Sequence, residues 1–275
     1  MKNLYVVMGG LGKNLLWTSL IPGLCNKDKV DKISVMTPWP FIFNNNKQIE
    51  NIEPLADWTY HQTLTKYDNI IYHEPYFSNY IKSEKMHILD DWAMGYNIEP
   101  VIPKPYINIK QPYKYELSEP LTKSYCVVQV NGGALQTGEN KINPRDYRLD
   151  LVQTLIHRIR HQMDLDVVCF RYDKEPRPSD TITFISNTEH TLDIVPVIDK
   201  AEFVICIDSS LMHFAATTNK GKKTIVLWNK NQTSPERIGY NFQTNLICDT
   251  EICVDIDPQI ILDQIRVNVD SNWVT

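Results

Sequence analysis

The chain has 275 residues, and its 28 Lys and Arg against 33 Asp and Glu leave a net charge of −5. That balance argues against a broad nucleic-acid surface, because phosphate contacts need clustered cations. Apolar residues make up 43% and charged residues 22%, the proportions of a globular protein rather than a collagen-like, disordered or coiled-coil one.

Leu4–Met8 is a short apolar β-run, too short for a signal peptide, and it is closed by Gly9-Gly10-Leu11-Gly12. Asn14 to Cys25 reads as a helix interrupted near its end by Pro22, followed by a strand over Ile33–Met36 and a Pro/Asn-rich loop. Two further buried runs, Asn69–Tyr72 and Met86–Leu89, read as strands. This strand–loop–helix–strand rhythm is that of a parallel sheet covered by helices. Prolines crowd Glu99 to Pro120 and mark a linker, so the expected division is 1–113 and 114–275. In the second part strands are expected at Tyr125–Val130, Asp166–Phe170, Thr181–Ile185, Phe203–Ile207, Thr224–Leu227 and Leu246–Cys248. Helices are expected at Asp146–Gln162, Thr191–Asp199, Leu211–Thr217 and Pro258–Val267. Six cysteines with no CxxC and no Cys/His metal spacing, and no apolar run near the ~18–20 residues that span a bilayer, place the expected chain in the cytoplasm without a metal or a membrane span.

Two segments carry chemistry. Gly9-Gly10-Leu11-Gly12-Lys13-Asn14 stands between a strand and a helix, where Gly10, Gly12 and Lys13 suit a phosphate. It is not a P-loop, since Val7 holds the first glycine position and Asn14 the Ser/Thr position, and the GxGxxG spacing is absent. A plain tight βα turn remains the other reading. Asp208-Ser209-Ser210-Leu211-Met212-His213 ends a buried strand and opens a helix. Ser209 or Ser210 is the expected N-cap, and the hydroxyls, free N–H groups and His213 suit an anionic diphosphate. The alternative is a capped core helix with a satisfied buried histidine. Glu74, Asp90 and Asp91 follow first-part strands and are candidate proton acceptors, and Glu175 is a candidate for a ribose hydroxyl. Trp92, Tyr72 and Tyr76 belong to an aromatic-rich first part, most of which core packing explains.

Asp208–Ala216 resembles the D-[TS]-G-x-x-H-x-A-A signature of glycosyltransferase family 9, the heptosyltransferase-like family. Gly9–Gly12 with Leu15-Leu16 and Ile21-Pro22 is similar to that family's opening GxxGDxxxxxP segment. Val130–Ala134 with Lys141 and Pro144 resembles its second glycine turn and phosphate-binding lysine, and Thr224–Trp228 with Ser234–Arg237 its strand-then-TxP loop. The resemblance implies an α/β protein of two Rossmann-like lobes (the GT-B arrangement) with an interlobe cleft. It also implies metal-independent, inverting transfer of a hexosyl, heptosyl or pentosyl group from a nucleotide-diphosphate sugar to a hydroxyl acceptor. The donor is a substrate, and no cofactor is implied. By the same resemblance Lys141, Asp208, Ser209, Ser210 and His213 hold the donor. The sequence departs from the pattern at Lys13, where the family has its aspartate base, and at Ser210, where it has glycine. The acceptor is open: the resemblance implies a lipopolysaccharide-type glycan, while the short, Asn/Lys/Ile-rich chain fits equally a phage enzyme that adds sugar to modified DNA bases. The rival reading is a non-catalytic nucleotide-binding or scaffold protein.

Overall fold

The computed structural model describes residues 2–56, 60–78, 85–109, 116–132, 143–171, 177–185 and 191–270. The chain divides into two compact units, Met1–Lys110 with Glu236–Ile238, and Gln111–Pro235 with Gly239–Thr275.

The first unit is built on a parallel sheet of β1 (Asn3–Val6), β2 (Ile33–Thr37), β3 (Ile49–Pro54) and β4 (Asn69–Tyr72) in the order β3-β2-β1-β4. Leu4, Tyr5 and Val6 of β1 and all of β2 are buried, as strands flanked on both sides should be. The first crossover is α1 (Leu11–Trp17), a 3-10 turn, and α2 (Ile21–Asp28). This corrects two expectations. Gly12 and Lys13 lie inside the helix rather than in the turn before it, and Pro22 sits in the first turn of α2, where its missing N–H costs nothing. Further departures follow along the chain. The expected loop holds the short α3 (Pro40–Phe43), and β3, whose burial lacks a clear alternation, is an added strand. The short α4 (Tyr60–Leu64) precedes β4. Met86–Leu89 is not a strand. His87 caps α5 (Ile88–Tyr96) by accepting from the Leu89 N–H, so Asp90 and Asp91 lie in a first helical turn. Four consecutive apolar or half-apolar residues fit a buried helix start as well as a strand. Tyr5, Trp17, Phe43 and Tyr96 form the aromatic core, with ring centroids 5.6–6.3 Å apart and a Trp17 Nε1–Tyr96 hydroxyl hydrogen bond.

The second unit carries a parallel sheet ordered β10-β9-β8-β5-β6-β7. Its strands are β5 (Tyr125–Gln129), β6 (Asp166–Arg171), β7 (Ile182–Ile185), β8 (Val204–Ile207), β9 (Thr224–Asn229) and β10 (Thr244–Cys248). Its helices are α6 (Leu149–Met163), α7 (Ile194–Lys200), α8 (Ser210–Ala216) and, after the single turn α9 (Pro235–Ile238) that falls mostly in the first unit, α10 (Pro258–Asp270). Val152, Leu155, Ile156 and Ile159 of α6 and Ile261, Leu262 and Ile265 of α10 recur at helical spacing and pack with Val128, Ile205 and Ile225 in one core. Read from β5, the order is that of a doubly wound sheet that reverses direction between its first and fourth strands. The first unit repeats the device in four strands, reversing between β1 and β4. Among the described residues no helix is long and apolar enough to cross a membrane, and all six cysteines are free.

Candidate functional site

Open parallel sheets bind ligands at the carboxyl ends of strands where the winding reverses, because loops there splay to opposite faces. Each unit places a buried polar cluster at that position.

In the second unit the cluster lies after β5, β8 and β9. Gln129, Asp208 and Asn229 are 2–5% exposed, polar residues ending otherwise apolar strands. Ser209 is the N-cap of α8, its Oγ accepting from the Leu211 N–H at 3.3 Å and donating to Gln129 Oε1 at 2.6 Å. One of the two expected hydroxyls is thereby spent on tying β5 to β8, while Ser210 opens the helix. Burial pushes the Asp208 carboxyl up to about 6, against the partial relief of Arg145, whose guanidinium is 3.8 Å away and whose side chain is 39% exposed. Arg145 belongs to a segment pinned on both sides: Asn143 Nδ2 donates to the Gly132 carbonyl, the Gly132 N–H to Asp146 Oδ1 at 2.8 Å, and Asn229 Nδ2 to the Pro144 carbonyl at 3.1 Å. A Cβ on Gly132 would lie 2.6 Å from Ile207 Cδ1, so any larger residue there would have to displace the isoleucine tip. His213 is buried, and its Nδ1 lies 2.7 Å from the Tyr240 hydroxyl. Lys141 and Glu175 lie outside the described residues.

In the first unit the cluster follows β1 and β4. Gly9, at φ +96°, turns the chain out of β1, and Gly10 caps α1 with open space around its Cα. Asn14 fastens the turn from inside the helix, donating to the Gly10 and Gly9 carbonyls at 3.0 and 3.3 Å and accepting from Thr37 Oγ1 at 2.7 Å. Lys13 forms an ion pair with Glu74, 9–10% of either side chain remaining exposed. Its Nζ also stands 4.6 Å from the Tyr76 ring centroid and 5.5 Å from that of Trp92. Desolvation lowers the Lys13 pKa, and Glu74 opposes that shift. Asp91 accepts from Ser78 Oγ and lies 3.4 Å from His73 Nε2, whereas Asp90, half-buried, stands on another side of α5. The structure thus brings Lys13 and Glu74 together and pairs Asp91 with Ser78 and His73. Sequence reasoning missed Gln129, Arg145 and His73. Gln129, a lone polar residue in an apolar strand, and His73, directly after β4, had a signal; Arg145 had none before its partner was known.

No family model matches the sequence, and no curated protein sequence matches it. Solved structures do match in fold. The ADP-heptose lps heptosyltransferase II of E. coli is 15% identical with a TM-score of 0.66, covering 99% of each chain. A glycosyl transferase family 9 protein of Veillonella parvula is 10% identical at 0.64, covering 99% of this chain and 97% of that one. The E. coli heptosyltransferase WaaC with ADP is 11% identical at 0.63, covering 98% and 100%. At these identities the likeness is one of fold, the α/β fold of the heptosyltransferase-like glycosyltransferases.

Proposed function

We propose that this chain is a glycosyltransferase of the family 9 type, moving a sugar from a nucleotide-diphosphate sugar to a hydroxyl acceptor in the cytoplasm. One observation carries the reading: at the reversal point of the second sheet, buried Gln129 and Asp208 and half-buried Ser209 fix a helix start beside a half-exposed arginine. A guanidinium and helical N–H groups at that place suit a diphosphate, and the fold is shared with a heptosyltransferase structure that contains ADP. Arg145, the Ser210 end of α8, Lys141 and His213 hold the leaving diphosphate in this reading, and Glu175 a ribose hydroxyl. Gly10 opens the first helix of the first unit, with Gly12 in its first turn. The acceptor oxygen attacks the anomeric carbon opposite the diphosphate, a C–O bond forms as the anomeric C–O bond to phosphate breaks, and the configuration inverts. Fixed cations and dipoles balance the charge on the leaving group, so the step calls on no metal. The acceptor proton passes to a group in the cluster after β4, with Glu74 and Asp91 its carboxylates and Asp90, on another side of α5, the remaining candidate.

The heptosyltransferase neighbours favour a heptosyl donor and a lipopolysaccharide-type acceptor over a modified DNA base, as does the net charge of −5. Lys13, standing where the family has its aspartate and engaged by Glu74, favours the second reading of a nucleotide-binding protein without turnover. Calorimetry with ADP on the full chain tests the binding claim. One site is expected, with Arg145→Ala weakening it at least tenfold, as loss of a charged hydrogen-bond partner does. Equal affinity in the variant, or no binding, refutes it. ADP release from ADP-heptose, supplied with deacylated lipopolysaccharide or with hydroxymethylated DNA, separates enzyme from binder and one acceptor from the other.

A further inference from the structure

The residue after β4 is better placed for proton transfer than the carboxylates around it. Glu74 already accepts from Lys13 and, on the same oxygen, from the Tyr76 N–H at 3.3 Å, so that oxygen is engaged by two donors. The Asp91 side chain is 3% exposed and committed to Ser78 and His73. His73 keeps 25% of its side chain exposed. Its Nε2 faces Asp91, and among the described residues Nδ1 has no hydrogen-bond partner. A buried carboxylate opposite one ring nitrogen keeps the proton there and leaves the lone pair on the other.

The residue is held at three further points, two of them on the ring. Trp92 Nε1 donates to the His73 carbonyl at 3.1 Å, and the Tyr96 ring meets the imidazole edge-on at 6.1 Å between centroids. Gly95 leaves the imidazole its space, because a Cβ at that position would overlap the ring. Three residues of one helix turn, Asp91, Trp92 and Gly95, therefore fix a histidine that contributes little to the core. The charged groups near it are Asp91 from α5 and the Lys13–Glu74 pair, in which opposite charges offset each other.

We propose that His73 is the proton acceptor of the transfer reaction, with Asp91 as its positioning residue. The proposal rests on the glycosyl-transfer reading above. As the acceptor oxygen bonds to the anomeric carbon, its proton moves to His73 Nδ1, and the diphosphate departs with the electron pair of the broken C–O bond. Asp91 then stabilises the imidazolium.

The test uses the full chain, ADP-heptose, and the better of the two acceptors, following ADP release, with ADP affinity measured separately by calorimetry. His73→Gln should lower kcat by 10²–10⁴-fold, with ADP affinity kept within about twofold. His73→Gly should regain turnover when imidazole is added. Asp91→Asn should lower kcat with KM little changed and shift the His73 ¹⁵N signals away from the Nε2–H tautomer. His73→Gln with near wild-type turnover, or Glu74→Gln abolishing turnover while His73→Gln does not, overturns the assignment and leaves glycosyl transfer standing. Wild-type protein that binds ADP yet releases none from ADP-heptose refutes the assignment together with catalysis. Absence of ADP binding refutes the donor reading itself.

Discussion

At the scale of single residues, the least comfortable group is Asp208. Its carboxyl, raised from 3.8 to about 6 by burial, holds a proton more tightly folded than unfolded. Its contribution to stability is therefore full below about pH 4 and lost as pH climbs through 6. The rise corresponds to about 3 kcal/mol. Asp208→Asn removes that dependence, so urea unfolding at pH 4.5 and pH 7.5 should show the variant gaining on the wild type by up to that amount at the higher pH. Such a buried acid persists at a cost, as expected of a group kept for binding. Gly9 is constrained from two sides. Its φ of +96° is strained for any residue with a Cβ, and that Cβ would lie 2.8 Å from Lys13 Cδ. Gly9→Ala should lose about 1–3 kcal/mol in urea unfolding and displace the lysine from Glu74.

At the scale of elements, the aromatic core of the first unit is where truncation should hurt most. Trp17 is fully buried, touches Tyr5, Phe43 and Tyr96, and donates to the Tyr96 hydroxyl, so Trp17→Ala should cost about 3–5 kcal/mol by chemical denaturation. The elements also show what the sequence disclosed. The inner strands of the second unit were legible because each is built on a short apolar run, such as Cys126–Val128 or Val204–Ile207, the pattern of a strand covered on both faces. Asp208-Ser209 was legible because a strand end and a helix cap share two adjacent residues. Met86–Leu89 misled, since four residues are too few to separate a period of 2 from one of 3.6. Ile49–Pro54 escaped notice as a mostly exposed edge strand with Glu50, Asn51 and Glu53 in it. The partnerships Lys13–Glu74, Asp208–Arg145 and Asp91–His73 join residues 18 to 63 positions apart, and only the tertiary fold reveals them.

For the whole molecule, ligand linkage gives a measurement that needs no turnover. ADP at a hundred times its Kd should stabilise the folded chain by about 2.7 kcal/mol. Amide exchange should slow at the ends of β5 and β8, near residues 129–132 and 208–213, while the turn after β1 changes little. Protection spread evenly over both units, or confined to the first, would contradict assignment of the donor to the second.

Both sheets are parallel throughout, so no strand finds its neighbour by a hairpin. During synthesis the first sheet has all its strands once residue 72 has emerged, whereas β5 must wait for β8, pairing Val127 with Val204. Such distant closures are slow, and an apolar ribbon from Tyr125 to Gln129 stays uncovered on one edge meanwhile. A ribosome that pauses between those two strands would prolong the interval in which nascent chains stick together, and a chaperone that shields extended apolar segments would raise the yield of active protein most in that window.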